Sequence, residues 1–325
     1  MARNNHEITE VRPMLNKQGN LAEPGWSRKM VQQYHRKDIK ASPFRIKEWV
    51  YYIVMSDGFG VAFTLNDMSY MGMISASFLN FETLTEHTET VLTLLPMGKF
   101  KMPENSSSGD VVYSDDQVSM KFTLGDGWRR IECDFKKFDG EKDLACDICM
   151  EQPDMDTMVI ATPWDQKHCF YYNQKINCMK ASGWVRYDGK EYTFNPEQDY
   201  GTLDWGRGVW TRDNTWYWGS GNTTIDGKPF GFNIGYGFGN TTIDGKPFGF
   251  NIGYGFGNTA AASEIVIFYD GKAHKLDDVV FNIPEDDYLM PWTFTSSDGR
   301  FEMNFLPILD RNSFTDMKLI ISDQH

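Results

Sequence analysis

Long apolar runs are missing from this 325-residue chain, and with them any stretch suited to a bilayer-spanning helix. Histidine is scarce: the six are scattered, and none forms an HxH or HxxxH metal pair. Cysteine is scarce too. Cys133, Cys146, Cys149, Cys169 and Cys178 are odd in number and lack a framework spacing, which suits a reducing compartment. The one chelator-like spacing is "CDIC", Cys146 to Cys149. Its setting "DLACDICM" alternates along a strand, so the two thiols point to opposite faces, and no second CxxC completes a metal site. Basic residues are outnumbered, 32 against 45, and a net charge of −13 argues against a nucleic-acid backbone or an anionic membrane surface as partner. There is no glycine-rich phosphate loop leading into a helix and no nucleophile elbow, so no cofactor is expected. The opening "MARNNHEITEVRPM" has no apolar core of a secretory signal, and a cytoplasmic protein is expected. Oligomeric state is left open.

What is present is turn chemistry. Asp-Gly, the strongest short hairpin signal, begins at Asp57, Asp126, Asp139, Asp188, Asp226, Asp244, Asp270 and Asp298. Between these pairs lie runs such as "WVYYIV", "VSMKFTL" and "EIVIFYDG", rich in β-branched and aromatic residues. Convincing amphipathic helices are few. With 41% apolar and 15% aromatic residues a sizeable core is available. The expectation is an all-β protein of two consecutive antiparallel barrels or sandwiches. An irregular N-terminal strap covers 1–40, a first β domain 41–157 and a second 158–325, the boundary falling at the polar "CMEQPDMDT".

The second half contains one segment twice. "GNTTIDGKPFGFNIGYGF" runs from Gly221 to Phe238 and again, unchanged, from Gly239 to Phe256. In it Phe230, Phe232, Ile234, Tyr236 and Phe238 alternate with Gly231, Asn233, Gly235 and Gly237. One strand face is large and apolar; the other is nearly bare, as at a bend or a close backbone approach. Inserting one strand into an antiparallel sheet would deliver the next strand to the wrong end. Either one copy fills the strand position and the other loops out, or an added hairpin forms with Thr241–Ile243 as the return strand. Exposing several Phe, Ile and Tyr side chains is unfavourable, so the hairpin is expected.

From Met158 onward "MVIATPW", "FYYNQKINCM", "LDWGRGVW", "WYWGSG", "FGFNIGYGFGNTAAASE", "FYDGKAHKLDDVVFNIP" and "PWTFTSSDGRFEMNFLPILDR" closely resemble the bacterial "domain of unknown function 2804" family. "GNLAEPGWSRKMVQQYHRKDI" and "RIKEWVYYIV" resemble that family's opening. Its members carry the eighteen-residue unit once and continue past the segment matching "MKLIISDQH". More loosely the family resembles the lipocalin-like group that includes carotenoid hydratases and tocopherol cyclases, which implies two consecutive lipocalin-like barrels.

The densest chemical constellation is "LDWGRGVWTRDNTWYWGSG", with Asp204, Trp205, Arg207, Trp210, Trp216 and Trp218. Acid and base beside aromatics suit a pocket that holds an apolar ligand and orients one polar group. The plain alternative is an ion pair tying a loop to a tryptophan-rich core. In "YYNQKIN", Tyr171, Asn173, Lys175 and Asn177 share one strand face and Tyr172, Gln174 and Ile176 the other. Glu264, after "AAAS", and His274 with Lys275 complete the titratable candidates. Three functions remain open. The first is a binding protein for a lipid or isoprenoid-like molecule, with Lys175, Trp205, Trp210, Trp216, Trp218 and Glu264 as ligand contacts. The second, which the resemblance implies, is acid-catalysed hydration or cyclisation of an alkene, with Asp204 as the acid and Arg207 orienting it. The third is a structural module without a ligand.

Overall fold

The computed structural model describes residues 5–212, 214, 216–225, 228–234, 251–254, 257–284, 286–310, 313–316 and 321–324. The strands of the first half are β1 (Arg12–Pro13), β2 (Gly25–Ser27), β3 (Gln32–Gln33), β4 (Ile46–Met55), β5 (Phe59–Asp67), β6 (Met71–Asn80), β7 (Thr85–Leu94), β8 (Val111–Ser114), β9 (Val118–Gly125), β10 (Trp128–Asp139) and β11 (Lys142–Glu151). There follow β12 (Met158–Pro163), β13 (Phe170–Tyr187), β14 (Lys190–Phe194), β15 (Tyr200–Val209), β16 (Tyr217–Ile225), β17 (Lys228–Ile234) and β18 (Asn251–Tyr254). The last are β19 (Val266–Tyr269), β20 (Lys272–Lys275), β21 (Val279–Asn282), β22 (Trp292–Ser296), β23 (Glu302–Phe305), β24 (Ser313–Asp316) and β25 (Ile321–Gln324). The protein is all-β. Helical structure among the described residues is limited to single 3-10 turns at Arg36–Asp38 and Pro43–Arg45, and no helix there is long and apolar enough to cross a membrane.

Six of the eight Asp-Gly pairs sit in turns between consecutive antiparallel strands. Asp188–Gly189 and Asp270–Gly271 place both residues at positive φ, as a tight hairpin requires. The pairs at 226 and 244 lie outside the described residues.

The main sheet runs in the order β7-β6-β5-β4-β15-β13-β11-β10-β9-β8, antiparallel throughout, with β12 and β14 also on β13 and β2 on β12. It curls. His87 on β7 reaches β10, its Nε2 donating to the Phe138 carbonyl at 2.7 Å. The expected boundary at 157/158 falls between β11 and β12, and the sheet continues across it, because β4 pairs along its whole length with β15.

Period-two alternation assigns the faces of these central strands. Val50, Tyr52 and Val54 of β4, Phe170 and Tyr172 of β13, and Leu203, Trp205 and Val209 of β15 point into the curl, within one large hydrophobic cluster. Side chains fill this interior. Beneath the segment 103–109 they leave a cavity of about 20 Å³, room for a single water. Three bonds hold that segment in place: Arg207 donates to the Pro103 carbonyl at 2.6 Å, Arg129 to the Ser106 carbonyl at 2.8 Å, and Ser106 Oγ to Gln174 Oε1.

Residues 5–40 contribute Met14, Leu15, Leu21 and Tyr34 to the main core and are also tied down by charge. Arg28 bonds Glu7 at 2.8 Å, Asp156 at 2.6 Å and the Ala273 carbonyl at 2.8 Å. Tyr34 and Arg36 both bond the buried Glu48 carboxylate. An open groove of about 550 Å³ lies along this strap beside Arg36, Ile39, Ile46 and Met97.

The second sheet, β16-β17-β18-β19-β20, contains both copies of the repeated unit. Strand β17 comes from the first copy and β18 from the second, and both use one register. Gly219 of β16 pairs with Ile234 and also with its equivalent, Ile252. On the far side Gly231 pairs with Phe268, and Asn251 pairs with Val266, where Asn233 would fall if the β17 register continued. Where the copies overlap they lie parallel, Asn233 beside Asn251 and Ile234 beside Ile252. One strand position is therefore filled in two pieces, the first half by one copy and the second half by the other. This differs from the alternative in which one copy alone fills the position and the other loops out. Identical sequences make either copy an equal fit, so the chain can change copies partway along. The expected return strand, Thr241–Ile243, lies outside the described residues.

Candidate functional site

The outer face of the central strands carries the chemistry. On β15 the even-numbered residues point this way, so Thr202, Asp204, Gly206 and Gly208 share a face opposite Trp205 and Arg207. Register brings Lys175 of β13 and Tyr51 of β4 beside Asp204, and Asn173 and Trp49 beside Gly206. Asp204 is held by three donors: Oδ1 receives Asn173 Nδ2 at 2.6 Å and Trp49 Nε1 at 3.0 Å, while Oδ2 lies 2.6 Å from Lys175 Nζ. Lys175 is fully buried and Asp204 only 9% exposed.

The glycines of "DWGRGVW" make this packing possible. A Cβ on Gly206 would lie 1.9 Å from Trp49 Cζ2, and one on Gly208 2.6 Å from the Phe170 carbonyl oxygen and 3.0 Å from Trp210 Nε1. Bare backbone at both positions lets the indoles lie against the strand. From there an aromatic wall extends. Trp49 stacks on Tyr171 with centroids 6.0 Å apart and meets Trp210 edge-on at 5.5 Å; Trp210 in turn contacts Trp216 at 5.3 Å and Trp164 at 6.2 Å. Trp218 of β16 meets Tyr51 at 5.6 Å, and Lys175 Nζ lies 4.5 Å from its ring centroid. These five tryptophans are each half-buried.

Glu264, 1% exposed, is buried beside Tyr171. The Tyr171 hydroxyl donates to its Oε1 at 2.8 Å. Burial pushes the Glu264 carboxyl up to about 7; the charge of Lys175 and the Tyr171 bond oppose this, and Asp204 adds to it. Lys175 makes its direct ion pair with Asp204, and Glu264 is poised to hold or release a proton near neutrality. Three buried polar atoms of this wall, Glu264 Oε2, Asn173 Oδ1 and Trp218 Nε1, have no hydrogen-bond partner among the described residues.

Of the residues singled out from sequence, the structure brings together Asp204, Lys175, Glu264, Trp210, Trp216 and Trp218. It separates Arg207 and Trp205. Arg207 is fully buried on the other face, stacked 3.9 Å from the Trp205 ring and donating to the carbonyls of Trp49, Gly206 and Pro103, with Glu48 at 3.6 Å. It does not orient Asp204, because residues three apart on a strand face opposite ways. Lys175 takes that place. Cys146 and Cys149 likewise diverge, the first buried and the second half-buried on the opposite face. Sequence reasoning missed Trp49. The alternation of Lys47, Trp49 and Tyr51 was available, but only the pairing of β4 with β15 sets that face against Asp204.

The family Domain of unknown function (DUF2804) matches residues 5–244 and again 240–325, the two matches meeting inside the repeated unit. Among solved structures, a Nitrosomonas europaea protein assigned as an ATTH is similar over 88% of this chain and 85% of its own, with 12% identity and a TM-score of 0.50. Kievitone hydratase from Nectria haematococca is similar over 96% of this chain and 86% of its own, with 10% identity and a TM-score of 0.49. At these identities the likeness is one of fold. No curated protein matches the chain in sequence.

Proposed function

We propose, for a chain that belongs to the DUF2804 family, that the tryptophan wall borders a cleft, and that this cleft binds a largely apolar small molecule carrying one polar group at the end nearest Glu264. The observation that carries this reading is the set of polar atoms without a partner among the described residues, Glu264 Oε2, Asn173 Oδ1 and Trp218 Nε1, in a wall rich in aromatic rings. A buried donor or acceptor left without a partner costs about 1–3 kcal/mol. Three around one cleft are stabilised when a ligand hydroxyl, carbonyl or water completes them. The aromatic rings supply apolar area at little entropy cost. Such a site lies on the outer face of the curl, between the two sheets, since the interior is filled.

A second reading is favoured by Glu264. A carboxyl that is protonated near neutrality can protonate an alkene carbon, after which water adds to the cation and returns the proton to the carboxylate. Tryptophan and tyrosine faces would shelter the cation. Asp204, held by three donors, would position Lys175 and Asn173.

Native mass spectrometry and lipid extraction of the purified protein, followed by tryptophan-fluorescence titration with alkenes, alcohols and ketones of matched length, test the binding reading. Saturable quenching by the apolar series is expected. A protein that carries no small molecule and shows no quenching with any of them refutes it. Turnover of a bound alkene to the alcohol, lost in Glu264→Gln with binding kept, would decide for the second reading.

A further inference from the structure

At the outer end of the proposed cleft stand two cations, Arg45 closing the 3-10 turn and Lys47 at the start of β4, and neither has a carboxylate partner among the described residues. Arg45 and Lys47 both touch Trp210. Arg45 Nη2 donates to the Trp210 carbonyl at 2.6 Å and to Gln166 Oε1 at 3.2 Å. Lys47 Nζ sits between two rings, 5.4 Å from the Trp210 centroid and 5.6 Å from that of Tyr70, with Met68 Sδ at 3.6 Å. This differs from the rest of the cleft and strap, where Lys175 has Asp204, Arg28 has Glu7 and Asp156, and Arg36 and Arg207 have Glu48. A shielded ammonium without a counter-charge is costly, and the cost falls when an anion arrives. Burial alone draws Lys47 down to about 8, with no carboxylate opposing it.

We infer that Arg45 and Lys47 form a carboxylate-binding end of the cleft, and that its ligand is an elongated apolar carboxylic acid lying along the tryptophan wall. The register sets the length. Lys47 pairs with Gly208 and Tyr51 with Asp204, four residues along the same strands. At about 3.3 Å per residue the anionic and inner polar ends are roughly 13 Å apart. A short acid cannot reach both; a long-chain or isoprenoid acid can. Trp49 and Trp210, seated on the glycines between them, form the floor along which the chain would lie.

The inference rests on the cleft reading above, and the test keeps the two apart. Tryptophan fluorescence of the full chain is titrated with dodecanoate and with its methyl ester, which share the apolar chain and differ in charge. The acid is expected to bind about tenfold more tightly than the ester, as one charge-assisted contact provides. Lys47→Met, which keeps the apolar stem, should abolish that preference without changing ester affinity, and Lys47→Arg should retain it. Equal binding of acid and ester to the unaltered protein, or a preference that survives Lys47→Met, overturns the carboxylate assignment alone. If neither probe binds, the cleft reading fails and this inference fails with it.

Discussion

Deleting eighteen residues from the repeated unit should stabilise this protein. Because the copies are identical, removing 239–256 or removing 235–252 produces the same polypeptide. The strand position between β16 and β19 is at present filled in two pieces, Lys228–Ile234 and Asn251–Tyr254, in one register. After the deletion Ile234 continues directly into the Gly-Tyr that now follows Ile252, and a single unbroken strand makes the same pairs. The duplicate pairing of Asn233 with Asn251 and Ile234 with Ile252 is lost. What is gained is the closure entropy of holding Ile234 and Asn251 side by side across the chain that joins them. Closing a loop of that length costs about 2–3 kcal/mol on logarithmic scaling. For a chain of this size that corresponds to a rise in melting temperature of roughly 3–5 °C. Differential scanning calorimetry of parent and deletion variant measures it, with near-UV circular dichroism confirming that Trp218 keeps its setting over Lys175. A deletion variant that melts below the parent would mean that the segment between the two pieces contributes packing worth more than its closure, and the one-position argument would fail.

Two further expectations follow from the site. Glu264 titrates at about 7 when folded against an ordinary 4.5, so its contribution to stability is fully present below pH 4.5 and is lost as pH rises through 7. Urea titrations should show about 3 kcal/mol lost across that window and not in Glu264→Gln; a window unchanged by the substitution would refute the assignment. Gly206→Ala drives a methyl into Trp49, which must lift and release Asp204. A loss of about 1–3 kcal/mol with an altered near-UV spectrum is expected, and a variant as stable as the parent would show that the indole does not rest on that backbone.

The family itself was legible in the long motifs from Met158 onward, and the match to DUF2804 over 5–244 and 240–325 agrees with it. Strand and turn positions were legible because their causes are local. Asp-Gly closes a hairpin wherever the flanking strands are, and alternation fixes which side chains share a face. Tyr171, Asn173, Lys175 and Asn177 fell on one face in the sequence, and of these Tyr171, Asn173 and Lys175 meet at the site. The same rule, applied to "DWGR", already parts Asp204 from Arg207; density of charged and aromatic letters in a short window obscured it. Which strands become neighbours is a different matter. Lys175 meets Asp204, Trp49 covers Gly206, and Lys47 stands with Arg45 by Trp210 only because β15 is zipped between β4 and β13. That choice depends on closing loops of up to 150 residues and on burying the faces of all three strands together, and no window of sequence contains it. The raised titration of Glu264 is of the same kind. Its residue type and its neighbours in "AAASE" are ordinary; the displacement comes from a low-dielectric site assembled by segments far apart in the chain.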